Sequence, residues 1–262
     1  MLKKTVLISL MIIFYSLNSY GQKLNRKIFY SLKKNEKLND SHSIYYLTPK
    51  HQSAEIIRNN KVYVLIDQNE YGPFDKIRMS IYFDKLDNNW CFTADRNDGL
   101  YFILNGREYG PYKETSIPYG WEIFSPTGKS WAICVKKNDG MFYVLLSSGS
   151  EIGGFKMYPY CFSFNHDGTK WGFIGTKGNE DYIFFNDNKK LGPFLQLASF
   201  DYKKDDDTWI VNALTKHGWY IIPSDDEKIG PFYRIHSITF SDNYKVWGTS
   251  GQSLKFKDTK PY

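Results

Sequence analysis

Cysteine is scarce in this chain. Three cysteines among 262 residues exclude a disulfide-dense scaffold. Histidine is scarce as well, and five scattered copies make no His-rich metal tract. Lysine and arginine form no block. The pairs Lys33-Lys34, Lys136-Lys137, Lys189-Lys190 and Lys203-Lys204 lie far apart, which reads as solvated turns and strand edges rather than a nucleic-acid footprint. What the chain has in excess is rings: 21 Tyr, 19 Phe and 7 Trp, 18% of the sequence. Disordered chains are poor in such residues, so disorder is excluded as the main state.

The N-terminus carries an address. Lys3 and Lys4 precede an uncharged apolar stretch, Val6 to Tyr15, and then Ser16-Leu17-Asn18-Ser19-Tyr20-Gly21-Gln22. A basic start, a short apolar middle and small residues at a cut are the order of a secretory signal. Ser19 and Gly21 take the −3 and −1 positions for cleavage before Gln22. The apolar stretch is about half of the ~20 residues that a transmembrane helix needs. No cysteine stands near the cut to take a lipid. We expect a signal peptide over 1–21 and a single domain over 22–262, exported to the periplasm or outside the cell, with no membrane span after cleavage. The mature chain keeps a net charge of +4. Cys91, Cys134 and Cys161 each sit in an apolar or aromatic run. That favours three buried free thiols, with one pair plus a free thiol left open.

An internal repeat organises the rest. Tyr71-Gly72-Pro73-Phe74, Tyr109-Gly110-Pro111-Tyr112, Ile152-Gly153-Gly154-Phe155, Leu191-Gly192-Pro193-Phe194 and Ile229-Gly230-Pro231-Phe232 share one pattern, with glycines 38, 43, 39 and 38 residues apart. A second marker keeps the same beat. Phe83/Trp90, Phe124/Trp131, Phe164/Trp171 and Phe240/Trp247 are pairs seven residues apart, and Phe200/Trp209 carries two extra residues. Turn residues such as Ser125-Pro126-Thr127-Gly128 lie between them. Pro presets φ and Gly tolerates positive φ, so each pair predicts a hairpin. A third strand follows each hairpin, as in Leu100 to Leu104 or Met141 to Leu146, rich in β-branched and aromatic residues. The Gly-Pro end supplies a fourth strand, and Pro suits an outer edge.

Four short strands per ~40 residues is the signature of a propeller blade. A degenerate first copy places Leu47 seven residues before Ala54, with Ala in the Trp slot. The last copy, Thr239 to Lys257, runs out before any Gly-Pro end. Lys27 to Leu32 can supply its missing strand. The expected fold class is therefore all-β: a six-bladed β-propeller of four-stranded blades, with the ring closed by pairing of the N- and C-terminal segments.

Phe124-Ser125-Pro126-Thr127-Gly128-Lys129 and Phe164-Asn165-His166-Asp167-Gly168-Thr169-Lys170 resemble the repeat of the TolB-like (WD40-like) propeller family. The resemblance covers most of residues 40–257, as a repeat only. It implies an exported six-bladed ring that serves as a protein-binding platform in the bacterial envelope. We expect neither the second domain of TolB itself nor the peptidase domain of other members, and the Gly-Pro-aromatic end is not a general family mark.

Chemistry is thin. No Gly-x-Ser-x-Gly elbow occurs, and Gly248-Thr249-Ser250-Gly251 falls where a hairpin is expected to turn. Asp201 and Asp205-Asp206-Asp207 form one dense acidic cluster, in the hairpin with two extra residues. It lacks the alternating spacing of a calcium loop and reads as a solvated turn. His51, His166, His217 and His236 make no ligand spacing. The Asp167-Gly168 pair fails the sialidase Asp-x-Gly spacing, and no Gly-rich phosphate loop opens a helix. We therefore expect no catalytic residue, metal or cofactor, and the binding residues stay open. Trp121 and Trp219 stand outside the repeated slot and are the candidates for recognition, against packing between blades. Two functions follow. One is a binding module for a protein or glycan partner, expected as a monomer without nucleic acid. The alternative is a glycan-acting hydrolase or lyase with residues drawn from several blades.

Overall fold

The computed structural model describes residues 11–16, 25–39, 45–116, 122–203, 207–225, 227–240 and 247–253. Among them every regular element is a strand, and every paired strand is antiparallel. Among the described residues no helix is long and apolar enough to cross a membrane. The chain divides into two compact units, Met1–Tyr112 and Lys113–Tyr262.

The first unit holds two repeat sheets. Sheet 1 is built on Gln52–Arg58, Lys61–Ile66 and Asn69–Phe74. Its first strand is in two pieces, Glu36–Leu38 and Tyr45–Leu47, which pair with the two ends of Gln52–Arg58. Sheet 2 is the continuous meander Lys76–Phe83, Trp90–Arg96, Gly99–Leu104 and Arg107–Tyr112. The second unit holds three. Sheet 3 is Glu114–Ser116, Ala132–Lys136, Phe142–Leu146 and Glu151–Phe155. Sheet 4 is Tyr160–Phe164, Trp171–Lys177, Glu180–Phe185 and Lys190–Phe194. Sheet 5 is Gln196–Tyr202, Trp209–Thr215, Gly218–Pro223 and Ile229–Phe240, to which Trp247–Ser253 adds a fifth strand. The four-stranded antiparallel meander expected from the repeat is therefore present, sheet after sheet.

The register explains the sequence marks. Phe83 pairs with Trp90, Phe164 with Trp171, and Phe240 with Trp247, while Phe124 and Trp131 form an isolated bridge. Sheet 5 corrects the reading of its hairpin. Tyr202, not Phe200, faces Trp209, so the step is again seven residues and the loop is not expanded. The register shift between Leu197 and Ser199 matches the one between Ile77 and Met79 in sheet 2. Sheet 1 corrects the degenerate copy. Leu47 pairs with Gln52, and Ala54 faces Tyr45, because this hairpin is two residues shorter. Gln52 O accepts from Asp67 N there, just as Trp90 O accepts from Asn105 N, so Gln52 fills the Trp slot.

The Gly-Pro ends are fixed by their neighbours. All four Gly–Pro bonds are cis. Gly192 has φ +133°, and a Cβ there would stand 2.9 Å from the Asp181 carbonyl oxygen and 2.8 Å from Tyr182 Cδ1. Only glycine meets both demands. Gly230 repeats the arrangement against the Trp219 carbonyl and Tyr220.

Two sequence expectations meet a different chain path. Asn25–Ser31 pairs with Met11–Ser16 rather than with the last copy. Residues 254–256, the third strand expected there, lie outside the described residues. The last copy's hairpin extends sheet 5 because Ile229–Phe240 is one unbroken strand, where other copies break between their fourth and first strands. Gly248–Gly251 accordingly lies within a strand, with Ser237 opposite Ser250, and not in a turn.

Rings from successive sheets form the core. In the second unit Phe155 of sheet 3 meets Phe173 and Phe184 of sheet 4 edge-on, at 5.9 and 5.3 Å. Phe173 in turn stacks between Phe162 and Phe184. Cys91 and Cys134 are buried, Cys161 is half-buried, and all three are unpaired.

Candidate functional site

The hairpin edge of the sheets carries a repeated set of polar contacts. Among the described residues, the residue after the paired ring is buried and polar: Asp84, Ser125, Asn165 and Lys203. Its backbone N–H donates to the carbonyl five residues on, as Asn165 does to Lys170. Its side chain also holds the turn, since Asn165 Oδ1 accepts from Lys170 N at 2.9 Å and Ser125 Oγ accepts from Ser130 N at 3.1 Å. Lys203 cannot accept. Its Nζ turns to Asp225 at 3.1 Å instead.

Neighbouring hairpins within a unit are pinned together. In the first unit Lys50 N donates to Asp87 at 2.7 Å, and His51 stacks on Phe83 at 5.4 Å. In the second unit Asn165 Nδ2 and Lys170 Nζ both donate to Asp207 at 2.6 Å, and Ser163 Oγ donates to Asp201 at 2.7 Å. Of the acidic cluster seen in the sequence, Asp201 and Asp207 are thus hydrogen-bonded to the preceding hairpin; Asp205 and Asp206 lie outside the described residues.

His166, Asp167 and Asp207 come together here, with one ligand atom of each within 4.8 Å of the others. They are 40 residues apart along the chain, one repeat, so no linear spacing displays them. All three are exposed, and Lys170 and Asn165 already occupy the Asp207 oxygens. The Lys170 and Asn165 contacts hold the Asp207 carboxyl below the usual carboxylate range. His51 is paired at 2.5 Å with Asp67, which also accepts from Gln52 N. His217 is exposed, and the side chain of His236 lies outside what is described.

Two hollows open between the hairpins of the second unit. One, about 330 Å³, lies between sheets 3 and 4 and is lined by Trp131, Leu146, Phe164 and Trp171. The other, about 410 Å³, lies between sheets 4 and 5 and is lined by Phe185, Tyr202 and Trp209 with Lys170, Asp187 and Asp207. Both fall in the size range of small-molecule sites. The in-register Trp131, Trp171 and Trp209 line these hollows and are half-buried, whereas Trp90 is buried. Off-register Trp219 is a half-buried strand residue opposite Leu214 and Phe232, and Trp121 lies outside the described residues. The repeat could have revealed this, because a ring at the first position past a hairpin sits at the sheet's end, where the neighbouring sheet covers it only in part.

Burial, with the nearby Asp187 and Asp207 carboxylates, pushes the Tyr202 phenol up to about 12. It therefore stays protonated and a hydrogen-bond donor near neutral pH.

The opposite end of the sheets is different in character. Met157, Tyr158, Leu195 and Tyr233, which follow the Gly-Pro-type ends of sheets 3, 4 and 5, are 65%, 50%, 57% and 67% exposed. Directly after the aromatic of each end, the position held by Leu195 and Tyr233 is Asp75, Lys113 and Lys156 after sheets 1, 2 and 3.

No protein-family model matches the chain, and no curated protein matches it. Solved structures similar to it include a protein assigned as TolB in Agrobacterium tumefaciens, with 10% identity, 78% of this chain and 83% of that chain covered, and a TM-score of 0.38. Regucalcin, a calcium-binding protein of Agrobacterium tumefaciens, is 13% identical over 76% of this chain and 78% of that one, with a TM-score of 0.32. The β-propeller domain of Cps50 (Swd1) from Myceliophteria thermophila is 10% identical over 70% and 69%, with a TM-score of 0.32. These similarities are too distant to carry an activity across.

Proposed function

We propose that this chain is an exported β-propeller binding module that docks a protein partner in the bacterial cell envelope. The observation that carries the reading is the pair of exposed apolar side chains at matching positions of sheets 4 and 5, Leu195 and Tyr233, with exposed Met157 and Tyr158 close behind the end of sheet 3. A crossover needs no apolar side chain, and the first three copies use Asp75, Lys113 and Lys156 there. Large exposed apolar groups of this kind mark interaction surfaces.

The repeated meander supports propeller blades, and the signal-like start supports export. Cleavage before Gln22 would remove Met11–Ser16 and free the edge of Asn25–Ser31. That edge would then be available to complete a sixth blade with the last copy. The reading keeps the mature protein monomeric, outside the cytoplasm and without a cofactor. The enzymatic alternative has less behind it. His51–Asp67 and His166–Asp207 bring a histidine to a carboxylate, but in each case the carboxylate already holds a turn or a neighbouring hairpin.

Affinity capture from envelope extract tests the proposal, with mass spectrometry of the mature N-terminus alongside. We expect a protein starting at Gln22 that captures a defined partner, and loss of that partner from the Leu195→Asp/Tyr233→Asp variant. Retention by the folded variant, or an uncleaved N-terminus in exporting cells, would overturn it.

A further inference from the structure

We propose that the hollow between sheets 4 and 5 is a binding site for a neutral saccharide. Its floor is aromatic. Trp209 lies against Phe185 at 5.5 Å, with Tyr202 beside them. The C–H face of a pyranose stacks on such a surface, since Trp offers a large flat apolar area with a polar edge.

Its rim is polar and charge-balanced. Lys170 pairs with Asp207 at 2.6 Å, and Lys189 with Asp187 at 2.7 Å. A charged ligand would have to displace one of these partners. A hydroxyl need not, because it both donates and accepts and can bridge a carboxylate and an ammonium together. Vicinal hydroxyls match this alternation of donors and acceptors.

The preceding hollow serves as a built-in comparison. The turn residues lining it or beside it are Ser147, Ser148 and Ser150, in the places held here by Asn186, Asp187 and Lys189. Ser147 N donates to Trp131 O just as Asn186 N does to Trp171 O, and Leu146 N to Ser150 O just as Phe185 N does to Lys189 O. Small residues therefore suffice for the turn. Ser148 Oγ caps it at 3.3 Å, as one oxygen of Asp187 does at 3.1 Å. The Asn186 amide donates to Thr169 O at 2.9 Å, but the second Asp187 oxygen and the Lys189 ammonium that pairs with it exceed what the turn requires, and both residues line the hollow.

Sheets 4 and 5 form this hollow whether or not the chain closes into a ring, and it lies at the end of the sheets away from Leu195 and Tyr233. The site and the docking proposal therefore fail separately. The test is titration of the purified protein with methyl α-glucoside, methyl β-galactoside, N-acetylglucosamine and their disaccharides, followed by tryptophan fluorescence and calorimetry. Glucuronate and glucosamine are the charged controls. We expect at least one neutral sugar to bind with a Kd near or below about 1 mM. We expect the Asp187→Ala/Lys189→Ala variant, altered only at exposed turn positions, to fold normally and weaken that sugar about tenfold. Trp209→Phe keeps a ring in the core and should also weaken it. No neutral sugar bound at millimolar concentration, tighter binding of a charged control, or unchanged affinity in the folded double variant would each overturn the proposal.

Discussion

Tyr182 lies across Gly192 on the adjoining strand, so close that a methyl group on Gly192 would come within 2.8 Å of the ring. A cation covers the ring as well, since Lys190 Nζ is 4.1 Å from its centroid. The same trio recurs as Gly230, Tyr220 and Lys228. Gly192→Ala must therefore move a ring and strain a backbone at φ +133°. We expect a loss of roughly 2–4 kcal/mol in urea unfolding. A loss below about 0.5 kcal/mol, the scale of ordinary surface substitutions, would show that the backbone relaxes freely.

Gly175 makes a different case, because its backbone is ordinary and only space is at issue. A Cβ there would stand 2.6 Å from Phe155 Cε1 and 3.0 Å from Phe184 Cε2. Phe155 comes from the preceding sheet, so Gly175 sets how closely two sheets approach. Gly175→Ala should cost about 1–3 kcal/mol by overpacking. Phe155→Leu should cost stability alone yet reduce the cost of Gly175→Ala in the double variant. Simple additivity in that cycle would mean the two positions are not in contact.

These two glycines mark how far the chain could be read from its sequence. Hairpins, third strands and Gly-Pro ends were legible because each rests on local turn chemistry and repeats about every 40 residues. The ring opposite Trp209 was misassigned because Phe200 and Tyr202 are both aromatic, and only pairing across the hairpin separates them. The sequence does not single out Trp131, Trp171 and Trp209 for the hollows, since solvent exposure depends on how the adjacent sheet covers them. His166, Asp167 and Asp207 met for the same reason: inter-sheet contacts leave no short spacing in the chain.

The buried thiols give the protein an alkaline weakness. Burial pushes the Cys134 thiol up to about 12, raises Cys91 further, and pushes the Tyr202 phenol up to about 12. The unfolded chain loses these protons near ordinary thiol and phenol values. Above about pH 9 the folded state thus holds more protons than the unfolded state, and stability falls as pH rises. We expect urea midpoints to decline steadily between pH 8.5 and 10.5, values set by ordinary thiol and phenol ionisation. Cys134→Ala should make the decline shallower. Iodoacetamide should leave Cys91 and Cys134 unmodified until the protein unfolds. Rapid native labelling of either would contradict their burial.

Arg58 anchors the start of sheet 1, at Glu36. Its guanidinium donates to Glu36 at 2.7 Å and, through both terminal nitrogens, to Glu70 at 2.9 and 2.7 Å. The Glu36 side chain is fully buried and also accepts from Lys33 N at 2.8 Å and from the Tyr30 hydroxyl at 3.0 Å. Burial pushes the Glu36 carboxyl up, but Lys33 N–H, Arg58 and Tyr30 outweigh it and hold it below its usual value. Arg58→Met removes the cation and leaves a buried carboxylate with only neutral donors, a change that typically costs about 3–5 kcal/mol. The pH dependence gives the sign. In the wild type, the contribution of Glu36 is present at neutral pH and is lost as pH falls through its lowered folded value. In Arg58→Met the carboxyl, no longer held down, takes up a proton nearer neutrality and escapes its penalty by doing so. The stability gap between the two proteins should therefore be widest at pH 7 and narrow toward acid. Glu36→Gln on the Arg58→Met background should restore much of the loss. A gap that stays constant with pH would show that Arg58 acts through packing over Tyr63, whose ring it covers at 4.5 Å, rather than through charge.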